Sequence, residues 1–118
     1  MARRYKSYAA ETGTAYQYFF AGSRSVKRPE GQGAGSDYIF VVTPDQRSPF
    51  ILRVFISARA VSVWRQTRGR EMDPNEMYAA AKMRLFRAFD EVEGLRADNL
   101  SLLVDEANVE ELLEPLNL

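Results

Sequence analysis

Asp90, Glu91 and Glu93 are the densest carboxylates of the chain, and the first place to look for chemistry. Carboxylates move protons or hold Mg²⁺ when they converge on one pocket. These three sit nearly side by side on a stretch that reads as a helix end, where neighbours point to different sides. A solvated acidic surface is the expectation. Ser57, Ser62 and Ser101 offer hydroxyls, but there is no His to activate one and no Ser-x-x-Lys pattern. The absence of Cys excludes disulfides, thiol catalysis and thiolate metal sites. The absence of His removes the commonest general base and zinc ligand. No catalytic, metal-binding or cofactor-binding set emerges, and the balance is against an enzyme.

Binding chemistry is better represented. Formal net charge is zero, but residues 1–70 carry 12 Lys or Arg against 4 Asp or Glu, and residues 71–118 carry 4 against 12. Halves this different either neutralise each other, within one fold or between two copies, or the basic half meets an anion. Ten of the twelve basic groups fall in three clusters: Arg3, Arg4 and Lys6 among Tyr5 and Tyr8; Arg24, Lys27 and Arg28; and Arg59, Arg65, Arg68 and Arg70. Basic residues beside stacked aromatics suit single-stranded nucleic acid. Gly31, Gly33 and Gly35 do not form a phosphate-binding loop, because no Gly-Lys-Ser/Thr ending and no helix follow them.

The element around which the rest is organised spans Asp73 to Val92. Asp73-Pro74-Asn75-Glu76 is a helix start, with Asp73 as cap, Pro74 at the first helical position and Glu76 three residues on, as in a capping box. Helix formers fill the body, and Gly94 is the expected end. Tyr78, Ala81, Leu85, Phe89 and Val92 form one stripe at helical spacing, which predicts the core face. Met83 and Phe86 lie away from it, with Ala79 between them. A helix apolar on two sides needs two covers. The expected covers are a sheet on one side, and the C-terminal segment or a second chain on the other.

Three strands precede this helix: Thr14–Ala21, Asp37–Thr43 and Phe50–Ile56. Short connections predict an antiparallel meander, and the near-continuous apolar run of the second predicts a strand covered on both faces. Residues 1–13 lack a period and read as a mobile arm. Residues 22–36, with four glycines and a proline, read as a flexible loop. Ser57 caps a shorter helix over Ala58–Arg68, closed by Gly69, although alternation at Val61-Ser62-Val63-Trp64 also fits an extended third strand. Leu100–Val104 is a short candidate fourth strand. Asp105 precedes a last helix, Glu106 to about Glu114, ended by Pro115.

The expectation is a single α+β domain over residues 1–118, a three- to four-stranded antiparallel sheet packed by one long helix. A shorter helix comes before the long one and a C-terminal helix after it. The expected function is a non-catalytic protein-interaction module, self-associating or adaptor-like, acting through Met83, Phe86 and Ala79. A homo-oligomer is expected, in the cytoplasm. The alternative is a single-stranded nucleic-acid binder using Arg24, Lys27, Arg28, Arg59, Arg65, Arg68 and Arg70 with the sheet tyrosines. No apolar run reaches the ~20 residues that would span a membrane.

Overall fold

The computed structural model describes residues 5–28, 33–91, 95 and 101–116. The chain is α+β, and its strands form one five-stranded sheet in the order β1-β2-β3-β4-β5. Strand β1 is Lys6–Ala9, β2 is Ala15–Arg28, β3 is Gly33–Pro44 and β4 is Phe50–Ser57. Helices α1 (Ala58–Arg68) and α2 (Pro74–Glu91) follow, then β5 (Ser101–Val104), α3 (Val109–Leu113) and a short 3-10 turn (Glu114–Leu116).

The meander is present but is two strands larger at its edges. Part of the expected arm is β1, paired antiparallel with β2 through Lys6↔Tyr18 and Tyr8↔Tyr16. Gly13, at φ 95, closes the turn between them, where its N–H donates to the Ala10 carbonyl. The candidate fourth strand is β5, which runs parallel to β4, with Val54 opposite Leu102. A parallel neighbour needs a long crossover, and α1 and α2 supply it. The sheet is therefore mixed, not purely antiparallel.

The expected loop at 22–36 is largely strand. β2 and β3 pair as far as Arg28↔Gly33, and only residues 29–32 lie outside the described residues. Two of its glycines, Gly22 and Gly35, serve the hairpin. Gly22, at φ 143, sits at a register shift after Phe20, and such bulges favour a residue without Cβ. Gly35 leaves room for Phe55: a Cβ there would lie 2.6 Å from the Phe55 ring.

Ala58–Arg68 is helical. The Ser57 hydroxyl accepts from the Ala60 N–H at 3.1 Å, and Gly69 ends the helix in the left-handed conformation. Trp64, fully buried, fixes its inner face. Helix α2 begins with a reciprocal box: the Glu76 N–H donates to Asp73 Oδ1 at 2.8 Å, and the Asp73 N–H donates to Glu76 Oε1 at 2.9 Å. Its expected cap, Gly94, lies outside the described residues. The last helix starts at Val109, not Glu106. The Asp105 side chain accepts from the N–H groups of Ala107 and Asn108, which makes a turn there first.

The core lies between the sheet and the helices. Tyr16, Tyr18, Phe40, Leu52 and Val54 from the sheet meet Trp64, Leu85, Phe89 and Leu112 from the helices. Tyr16 stacks on Phe89 with centroids 4.0 Å apart. β3 was expected to be covered on both faces, but the helices pack on one. Ile39 and Val41 on the other face stay half-buried, because the neighbouring strands and not a second layer shield them.

Candidate docking cleft between β1, α2 and α3

Met83, Phe86, Arg87 and Asp90 recur on α2 at spacings of three and four, so they share one face of the helix. β1 and its turn stand on one side of that face, and α3 with the following turn on the other. Between them lies a cavity of about 520 Å³. Met83, Phe86, Leu112 and Pro115 give it apolar walls. Glu11, Asp90, Glu91 and Glu111 bring carboxylates to it, with Arg87 as the cation.

β1 is held to the helix at this point. The Tyr8 ring stacks on Phe86, centroids 4.4 Å apart and planes 7° from parallel. Its hydroxyl donates to Asp90 Oδ2 at 2.6 Å, and the Glu11 N–H donates to Asp90 Oδ1 at 3.0 Å. Burial, reinforced by the Asp90 bond and charge, pushes the Tyr8 hydroxyl up to about 12. Neutral at physiological pH, it holds its proton for Asp90 and is no base. Across the cavity Arg87 reaches Glu111 at 2.6 Å. Beside the cleft, the Lys82 ammonium lies 5.8 Å from the Phe86 ring centroid, and burial, with the Lys6 charge, pulls its pKa down. No group of three metal-ligating side chains occurs among the described residues.

Of the residues expected to form an interaction face, Met83 and Phe86 do line this cleft, but Phe86 does not point away from the sheet. It meets Tyr8 and also the edge of Tyr18, at 5.6 Å. Ala79 packs against the core and is not part of the cleft. The second cover of α2 therefore comes from two places, β1 over Phe86 and α3 near Met83. The partners Tyr8, Glu11 and Asp90 were not legible as a site. Only the four-residue spacing of Phe86 and Asp90 carried a signal.

Three of the basic residues expected to meet an anion have carboxylate partners within the chain. Arg65 pairs with Glu71 at 3.1 Å, Arg68 with Glu110 at 3.1 Å and Arg70 with Glu76 at 2.6 Å. Arg70 also lies 4.7 Å from the Trp64 ring centroid. Arg59 is exposed at the start of α1, and Arg24 and Lys27 are exposed on β2; the side chain of Arg28 lies outside the described residues. Tyr16, Tyr18 and Tyr38 are buried, so their ring faces are not open to a base.

The face of the sheet turned away from the helices carries a second apolar feature. Phe19, Val41 and Ile51 are register neighbours across β2, β3 and β4. Tyr5 extends the row by an edge-on contact with Phe19 at 4.9 Å. Tyr5 and Ile51 are 50% and 45% exposed, unusual for such large apolar side chains aligned in one row. Comparison of the chain with known protein families, with curated proteins and with solved structures finds no match. No helix among the described residues is long and apolar enough to cross a membrane.

Proposed function

We propose that the chain is a non-catalytic, adaptor-like interaction module that receives a partner protein in the cleft beside Met83 and Phe86. One observation carries this reading: an open cavity of about 520 Å³ with apolar walls and charged edges, the construction of a recognition pocket. A cytoplasmic site of action is part of the proposal. Selection of displayed random peptides on the immobilised chain tests it. Peptides enriched on the wild type and lost on Met83→Gln support it. Enrichment indifferent to that substitution, or none, overturns it.

Self-association is a second reading, and the row Tyr5, Phe19, Val41 and Ile51 favours it. Complementary halves give it little support, because Arg68–Glu110 and its neighbours already neutralise each other within one chain. Light scattering on a sizing column at low and high salt decides. A mass above the monomer that Ile51→Lys lowers supports stacking of sheet faces; a monomer throughout removes it. Among the described residues of the set that the nucleic-acid reading needs, Arg24, Lys27, Arg59, Arg65 and Arg70 are exposed, the last two paired with Glu71 and Glu76. Steeply salt-dependent binding of a labelled oligonucleotide would restore it.

A further inference from the structure

The edges of the cleft bear on the partner's chemistry. Glu11, Asp90, Glu91 and Glu111 bring four carboxylates, and Arg87, the one cation among the described lining residues, is already paired with Glu111. Glu11, Asp90 and Glu91 are left beside the walls formed by Met83, Phe86 and Leu112, with Lys82 next to Phe86 and Arg84 interacting with Glu91. An acidic cluster on an ordinary surface would only attract water and salt. Here it surrounds a cavity large enough for two or three side chains, so charge and shape act together. Lysine and arginine match that combination best, since their methylene stems cover apolar surface while the charged head stays at the wet edge.

We infer that the cleft takes a basic segment of the partner protein, with Arg or Lys heads meeting Glu11 and Glu91 and their stems, with an adjoining apolar residue, covering Met83 and Phe86. This rests on the docking reading above. Asp90 has a supporting part. Its oxygens already accept from Tyr8 and from the Glu11 backbone, and a carboxylate has lone pairs beyond those two. Arginine suits the site better than lysine, because its planar fork can serve two carboxylates at once. An acidic partner or a nucleic acid would meet the carboxylates of Glu11, Asp90 and Glu91, which opposes its docking. The edge groups are partly solvated, so the preference is salt-sensitive.

The test uses the whole chain with carbon-13 labelled methionine methyls and blocked peptides of equal length, alternating Leu with Arg, with Gln or with Glu. The Met83 methyl reports the cleft, and the methyls of Met72 and Met77 serve as internal controls. The Arg–Leu peptide is expected to move the Met83 resonance saturably, about tenfold more tightly than the Gln–Leu peptide. Glu11→Gln and Glu91→Gln should each weaken it about threefold, the effect of one exposed ion pair. Equal affinity for the Arg and Gln peptides, or a preference for the Glu peptide, overturns the basic partner and leaves the docking reading standing. Shifts at Met72 or Met77 without Met83 place binding elsewhere and overturn the cleft assignment. No response to any peptide counts against both.

Discussion

Tyr8 and Asp90 lie 82 positions apart in sequence and share a 2.6 Å hydrogen bond that joins the first strand to the end of the long helix. Phe86, one turn earlier on the helix, stacks on the same tyrosine ring. The pair closes one wall of the cleft, so fold stability and site geometry meet in it.

Tyr8→Phe keeps the ring stack and removes the bond. It should cost about 1 kcal/mol in urea unfolding at neutral pH. The Tyr8 hydroxyl titrates near 12 in the fold and near 10.0 when unfolded. Its contribution is thus fully present below pH 10 and is lost as pH rises through 10 towards 12. The stability difference between wild type and Tyr8→Phe should shrink over that window. A difference that stays constant into the alkaline range would contradict the raised value.

Glu76 works in the opposite pH range. The Arg70 guanidinium, then the Asp73 backbone amide, hold its carboxyl at about 2 against a usual 4.5. Its stabilising effect is present above pH 4.5 and is lost as pH falls towards 2. Glu76→Gln should therefore destabilise the chain at pH 7 and make little difference near pH 2. Asp73→Ala, which removes the other half of the box, should cost about 1 kcal/mol. Denaturant melts at both pH values check the two variants.

Gly35→Ala should be among the most damaging single-methyl additions. The new Cβ would lie 2.6 and 2.8 Å from atoms of the Phe55 ring and would also meet the Ile56 carbonyl. Overpacking of this kind costs roughly 1–3 kcal/mol. Phe55→Leu should relieve the ring clash but not the backbone one, so rescue in the double variant should be partial. Full rescue would mean that the β4 backbone gives way more easily than the sheet register suggests.

Trp64, the only tryptophan, is fully buried under the Arg70 guanidinium. Its indole N–H finds no acceptor among the described residues. Trp64→Phe removes ring volume and the cation contact, but it also removes that orphaned donor. The loss should fall near 1–2 kcal/mol, below the usual range for emptying an aromatic site. Wild-type emission should be blue-shifted and move to the red on unfolding, which makes Trp64 the natural probe for the other melts.

Much of the local structure was legible in the sequence because its causes are local. Asp73, Pro74 and Glu76 determine the start of α2 through bonds within four residues, and the structure shows both halves of the box. Ser57 and Gly69 bound α1 for the same reason. Alternation in Tyr16, Tyr18, Phe40 and Leu52 marked the strand faces that reach the core. The α+β class follows from those elements together.

Tertiary structure alone decided the rest. Lys6–Ala9 has no period of its own and becomes a strand only because β2 offers an edge to pair with. Residues 22–28 and 33–36 look like a loop by their glycines, yet long-range pairing extends the hairpin through them. Phe86 looked outward on an isolated helix and is covered because β1 stands beside it. Arg65, Arg68 and Arg70 read in sequence as an unpaired basic cluster, and only the fold brings Glu71, Glu110 and Glu76 within reach. Capping and turn bonds depend on neighbours in sequence, which a chain displays directly. The cleft depends on Tyr8, Asp90 and Leu112 meeting across three elements, and only folding brings such distant groups together.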